Sequence, residues 1–299
     1  MTRLELEAFL SVARHGSISA AAEQLYITQP ALSRRIQGLE AELGYRLFIR
    51  DKGMRTIALT SQGQAFLSVA QKWNAVYQEA QAIRDATQKP VLNLSSIGSV
   101  SAYILPKLLP QVASPETPYN LDYHYCHSYE GYAQIEGGFS DIALIDYVRK
   151  SDGSVVISKP VFSAPFVFIG GAAWNGTTII HPSVLDPRKE IRLPWNSAFD
   201  LWHDHWFDTT AYPRVRLDQA TIIKDVLQDD LFSIVPQNVG VELTKTNPDA
   251  VLCQLENGPP DEIIYCLASV SSLEKPQVQH FMNLLKQTLQ SSTDIHCLL

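Results

Sequence analysis

The 299-residue chain has no stretch approaching the roughly 18 apolar residues that a membrane-spanning helix needs, and no basic start followed by an apolar run and a small-residue cleavage site. The expectation is a soluble, cytoplasmic protein with no membrane partner. Cysteine is scarce: Cys126, Cys253, Cys266 and Cys297 are far apart and show neither CxxC nor metal-ligand spacing. They read as reduced, mostly structural thiols, with a pair brought together by the fold as the remaining route to a redox switch. There is no P-loop, no GxSxG elbow and no GxGxxG after a strand, which removes the common signatures of nucleotide binding and acyl transfer. Internal repeats and low-complexity tracts are missing too. An excess of positive charge is also lacking, since the net charge is −7.

That deficit is unevenly distributed. Residues 1–89 carry 11 Lys and Arg against 8 Asp and Glu, and between Thr28 and Arg55 the balance is 6 basic to 3 acidic. The remaining chain is strongly acidic. A mildly basic head on an acidic body fits a nucleic-acid reader joined to a separate sensing domain.

In the head, Leu6, Phe9, Leu10 and Ala13 recur at helical spacing and Gly16 supplies a stop. Ser17 can cap a second helix carrying Ile18, Ala21, Ala22 and Leu25. After a tight turn, Thr28 can cap a third, with Pro30 in its first turn and Gly44 at its end. In this third helix Leu32, Ile36, Leu39 and Leu43 form the buried side, leaving Gln29, Ser33, Arg34 and Gln37 opposite. Gln, Ser and Arg from the N-terminal half of the second of two tightly joined helices match a recognition helix entering a major groove. The β-prone runs 45–50 and 55–59 flank the turn Asp51-Lys52-Gly53-Met54, a wing whose tip gathers Arg50, Lys52 and Arg55 for phosphates or the minor groove. The plainer alternative is a small helical module with a solvated charged face.

The run Phe9-Leu10-Ser11-Val12-Ala13, then Gly16-Ser17-Ile18-Ser19-Ala20-Ala21-Ala22-Glu23-Gln24-Leu25, then Thr28-Gln29-Pro30-Ala31-Leu32-Ser33-Arg34-Arg35-Ile36, with Leu39-Glu40, Leu43-Gly44, Leu47-Phe48 and Arg50, resembles the N-terminal signature of LysR-type transcription regulators. The resemblance implies DNA contacts from Thr28 to Arg35 and from the wing, and dimers or tetramers at promoters. It also implies a fold: an all-α winged helix-turn-helix with a long linker helix, then an α/β two-lobed domain like the periplasmic binding proteins. Thr60 can cap the linker helix, expected to reach about Lys89, in which Phe66, Val69, Trp73, Val76, Ala80 and Ile83 alternate spacings of three and four as a pairing seam. The expected domains are 1–59, 60–89 and 90–299.

From Pro90 onward, β-prone runs alternate with helical stretches. Strands are expected at 91–97, 121–126, 141–145, 155–157, 166–169, 178–180, 190–193, 231–235 and 263–268, and helices at 102–112, 129–136, 199–207, 219–227 and 275–290. Leu105-Pro106-Lys107-Leu108-Leu109-Pro110 and Glu136-Gly137-Gly138-Phe139-Ser140-Asp141-Ile142-Ala143-Leu144 resemble the opening of the LysR-type regulatory domain. By that resemblance the chain crosses between lobes near 159–164 and 265–270, so lobe one is 90–162 with 266–299 and lobe two is 163–265. The family's glycine-rich lead-in is here Gln228-Asp229-Asp230-Leu231, without glycines.

Ligands of open α/β sheets gather at strand C-termini. There stand Ser99, Ser101, His127, Ser128 and Asp146 in lobe one, and Trp195, Asn196, Ser197 and Gln219 in lobe two, with Asp218 at the rim. Each is an effector contact or a structural cap. An acid at 146 repels an anion unless paired, which suggests an effector carrying hydroxyl or amine groups, with an aromatic ring meeting Trp195. His203 and His205, two apart beside Trp202 and Trp206, diverge on a helix, and Cys126 and His127 point to opposite faces of a strand, so neither metal binding nor catalysis is expected, and no cofactor. The leading expectation is a regulator controlled by a small-molecule effector, with promoter DNA, a second copy of itself and, if it activates, RNA polymerase as partners. The alternatives are a two-lobed binding protein with a vestigial head, or an architectural DNA-binding protein.

Overall fold

A computed structural model describes residues 1–49, 57–84, 89–149 and 156–299, and the chain divides into two compact units, one holding residues 1–88 and the other most of 89–299. The first unit opens with α1 (Arg3–His15), started by a capping box in which Thr2 Oγ1 accepts from Glu5 N–H while the Glu5 carboxylate accepts from Thr2 N–H at 2.7 Å. Gly16 ends it at φ 61°, a left-handed conformation that suits glycine. Helix α2 (Ile18–Gln24) is capped by Ser17. Helix α3 (Gln29–Leu43) is capped by Thr28, carries Pro30 in its first turn and ends at Gly44. Leu6, Phe9, Ala21, Ala22, Leu32, Ile36 and Leu39 bury against one another, so each helix is fixed by the apolar stripe its sequence presents.

A pair of two-residue strands, β1 (Phe48–Ile49) and β2 (Ala58–Leu59), stands where longer wing strands were expected. The buried Glu40 carboxylate ties the wing to α3: its Oε1 accepts from Leu47 N–H at 2.8 Å and Phe48 N–H at 3.4 Å, and its Oε2 from Arg46 at 3.0 Å. Next comes α4 (Ser61–Arg84), whose first turn lies so close to the wing that a Cβ on Gly63 would meet Leu47 O at 2.0 Å. The expected seam along α4 is divided. Phe66 is buried with Phe9 and Phe48, at ring separations of 5.1 and 5.4 Å between neighbours, and Trp73 is part-buried, whereas Val69 and Val76 are exposed. Helix α4 is therefore both a core helix of its own head and the carrier of an apolar row.

The second unit holds two lobes. In chain order its elements are β3 (Val91–Ser96), α5 (Gly98–Tyr103), α6 (Leu105–Val112), β4 (Asn120–Tyr125), α7 (Ser128–Glu136), β5 (Ile142–Ile145), β6 (Val156–Ala164), β7 (Phe166–Gly170), β8 (Ile179–Ile180), β9 (Ile191–Arg192), α8 (Ser197–Trp206), β10 (Val215–Arg216), α9 (Ile223–Val226), β11 (Phe232–Pro236), α10 (Gln237–Thr246), β12 (Val251–Leu255), β13 (Glu262–Ser269), α11 (Val270–Leu273), α12 (Pro276–Gln290) and β14 (His296–Cys297). Lobe one is a six-stranded sheet in the order β14-β6-β13-β5-β3-β4, parallel among β4, β3 and β5 and antiparallel beyond. Lobe two is the sheet β11-β7-β12-β8, extended by β9 and β10 through the bridge from Glu190 to Phe232. Strand β7 is buried on both faces: Phe166 and Phe168 join one core, Val167 and Ile169 the other, because apolar groups pack against each side of the sheet.

Several expectations are corrected. The expected helix 102–112 is two helices meeting at Ile104. The helix 219–227 is a short 3-10 turn followed by α9. Strands β10, β12 and β14 and helix α10 were not anticipated, β10 and β14 because two residues carry no periodicity. The crossings expected near 159–164 and 265–270 overlap strands β6 and β13, which pair with each other and with β14 and β5 inside the lobe-one sheet. The passage falls at Pro165 and just before Glu262. At the lead-in without glycines, Asp229 itself takes φ 46°, and the glycine demand moves to Gly171, where a Cβ would meet Asp229 O at 2.5 Å.

Removing the Glu40 acceptor leaves the buried N–H of Leu47 unpaired. Glu40→Ala is expected to destabilise the head by about 2 kcal/mol, and Gly63→Ala to destabilise it through the backbone clash. Denaturant unfolding of the full chain reads this as an early transition; an unchanged profile for Glu40→Ala would contradict the tie.

Candidate functional site

The face of α3 opposite Leu32, Ile36 and Leu39 exposes Arg34 and Gln37, with Ser33 half-buried beside them. Thr28 is spent on its cap, with Oγ1 accepting from Ala31 N–H at 3.4 Å, and Pro30 has no N–H to offer. Gln29 donates to Ser19 Oγ at 2.8 Å, which fixes its amide against α2. Arg35 is half-buried. Arg50, Lys52 and Arg55 lie outside the described residues.

In the second unit a cavity of about 290 Å³ opens between the lobes, where β3, β4 and β5 end on one side and β9 and β10 on the other. Seven of the nine expected effector residues line it: Ser99, Ser101, His127, Ser128, Asp146, Trp195 and Gln219, with Asp218. Asn196 and Ser197 do not. Asn196 Oδ1 accepts from Phe199 N–H at 2.9 Å as the cap of α8, and Ser197 is that helix's first residue, so the structural reading of this pair applies. Ser101 donates to Gly98 O at 3.0 Å. The Trp195 ring is held by its Nε1 donating to Ile234 O at 2.9 Å. Tyr125 OH and His127 Nδ1 lie 3.2 Å apart, and the His127 ring stacks on Tyr129.

Two of the acids lining the cavity, Asp146 and Glu262, are perturbed by burial. Ser128 Oγ donates to Asp146 Oδ1, yet burial outweighs that bond and raises the Asp146 carboxyl above its ordinary range. Glu262, the first residue of β13, was missed from sequence. It is 1% exposed, lines the cavity, and its Oε1 has no hydrogen-bond partner. Burial first, and then the Asp146 charge, push Glu262 up to about 8. A glutamate following Pro259-Pro260-Asp261 reads locally as a surface residue; only the placement of the return crossing could have pointed to it.

The thiols are shielded. All four cysteines are free, and burial pushes Cys126 and Cys266 up to about 12 and raises Cys253. His203 turns inward, with Nε2 2.8 Å from the buried Glu190 carboxylate, and His205 packs at the edge of Trp206, so the two histidines serve different contacts.

Two outcomes follow from these burials. The folded chain holds the protons of Glu262 and Asp146 more tightly than the unfolded chain does, so this contribution to stability is full below the ordinary carboxyl range and is lost as pH rises, the Glu262 part as pH passes through about 8. Thermal midpoints of Glu262→Gln minus wild type should therefore grow more positive from about pH 5 to 8.5, by at least about 2 °C; a flat difference would contradict the protonation. A thiol reagent on the native protein should modify Cys297 alone at an appreciable rate, since only thiolate reacts, and rapid modification of Cys126 or Cys266 would contradict the shielding.

A family model described as "Bacterial regulatory helix-turn-helix protein, lysR family" matches residues 4–64. A Synechocystis protein described as a probable nitrogen assimilation transcriptional activator is 34% identical over 248 residues, covering 81% of this chain and 72% of that one. An HTH-type transcriptional regulator of Bacillus subtilis is 34% identical over 142 residues, but the match spans only about half of each protein, 46% of this chain and 48% of the relative. Among solved structures, a full-length OxyR variant of Pseudomonas aeruginosa superposes with a TM-score of 0.63 at 21% identity, covering 98% of this chain and 96% of that one, which shows the shared fold. The matched head is present with its caps and recognition helix, so the vestigial-head alternative is set aside, and the chain belongs to the LysR family of bacterial helix-turn-helix regulators.

Proposed function

We propose that this protein binds promoter DNA through Ser33, Arg34 and Gln37 of α3, with Arg35 and the wing residues Arg50, Lys52 and Arg55 on the phosphates, and that a small molecule in the interlobe cavity controls it. The carrying observation is the division of α3 into a buried Leu32-Ile36-Leu39 face and an exposed polar face. Gln29 and Thr28 position the helix. Exposed Val69 and Val76, one heptad apart on α4, support self-association into a dimer or tetramer, which would set two recognition helices on neighbouring half-sites. A ligand that binds one lobe arrangement better than another shifts the population of states, and so the placement of the heads. RNA polymerase contact applies if the protein activates, and a cytoplasmic location follows from the DNA target. Among the described residues no helix is long and apolar enough to cross a membrane.

Binding to the DNA upstream of its own gene should weaken steeply with salt, and Arg34→Ala should cost roughly tenfold to a hundredfold in affinity with sequence preference relaxed. Fluorescence anisotropy against specific and scrambled duplexes checks this; equal affinity for the two would refute groove reading.

A further inference from the structure

Glu262 is hard to justify as a structural residue. A buried carboxyl is stable when its oxygens are bonded or when a cation faces it. Glu262 lines the cavity with Oε1 unpartnered, and the charge that acts on it is that of a second acid, Asp146. Asp218 adds a third carboxyl at the rim, while among the described lining residues there is no lysine or arginine. An anion entering this cavity would meet three carboxyls and no lysine or arginine among the described lining residues, with His127 as the one imidazole. A bare metal ion finds no group of three His, Cys, Asp or Glu side chains placed to hold it among the described residues. Ile97, Leu193 and Trp195 supply an apolar wall for hydrocarbon, and the volume lies at the lower end of cavities that hold small molecules.

On the reading of this cavity as the effector site, we infer that the effector is a small organic cation, an amine or guanidine, whose positive group pairs with Glu262 and Asp146 while its carbon skeleton lies against Trp195. Bound cation draws the two carboxyls into their charged forms, releasing protons. The other titratable groups facing this pair are Asp218 from the turn after β10, and Tyr125, Cys126 and His127 from the end of β4. Of these His127 is the imidazole, and in its protonated form it would oppose a cation, so its contribution must be separated from that of Glu262. The recognition device costs stability when empty, as binding sites commonly do.

The test is calorimetric titration of the full-length protein with benzylamine, agmatine and 1,4-diaminobutane against the size-matched benzyl alcohol, 1,4-butanediol and benzoate. At least one cation is expected to bind roughly tenfold or more tightly than its neutral counterpart. Its affinity should rise between about pH 6 and 8.5 in wild type and in His127→Gln. Glu262→Gln, with an unchanged circular dichroism spectrum, should lose at least about tenfold, and Glu262→Asp should retain part of the binding. Equal binding of charged and neutral members, undiminished binding by Glu262→Gln, or no binding by any cation overturns the inference. If benzoate or benzyl alcohol binds and Trp195→Ala abolishes it, the cavity remains the effector site for another ligand. If nothing binds and Trp195→Ala leaves regulation of the promoter in cells unaltered, the effector reading falls as well.

Discussion

The antiparallel pairing of β6 with β13 is the constraint on which the regulatory domain depends. Eight registered pairs run from Glu262–Ala164 to Ser269–Val156, interrupted by one shift between Ile264 and Tyr265. The chain leaves the lobe-one sheet at Pro165 and returns at Glu262, so the two connections between lobes lie side by side at one end of this ladder. That placement brings Glu262 beside the end of β5, where Asp146 stands, and inserts a carboxyl where an apolar residue would be more stable. A ladder of main-chain hydrogen bonds, with Phe162, Ile264 and Leu267 buried in the core, holds the acid in place.

The head rests on a different economy. Helices α1 to α3 are short, and short helices are marginal in isolation, so ends and packing decide whether they form. Thr2, Ser17 and Thr28 satisfy N-terminal donors, and Gly16 and Gly44 close C-termini. Glu40 then does for the wing what a backbone partner would do elsewhere. Arg34 and Gln37 of α3 stay exposed because Leu32, Ile36 and Leu39 on the opposite face carry the packing.

The fold shared with OxyR carries its own set of side chains in this chain. In this chain burial disfavours the thiolates of Cys126, Cys253 and Cys266, and the polar residues between the lobes are hydroxyls, an amide, an imidazole and acids. Function in a common architecture resides in the side chains placed at strand ends, and here these are acidic.

The sequence by itself determined the first three helices of the head: caps, stops and a helical apolar stripe are local signals, and each acts within a few residues of where it is written. It also placed most of the cavity, since strand ends in an α/β pattern can be read from β-prone runs, and seven of nine candidates came together. It did not reveal Asn196 and Ser197 as cap and helix start, because the same side chains serve both roles. The division of the α4 seam was equally hidden, since periodicity does not say which partner covers a face. The lobe crossings, and with them Glu262, were decided by tertiary structure alone. A strand's register is set by its neighbours across the sheet, and burial of an acid far from its partner in sequence leaves no mark on the residues beside it.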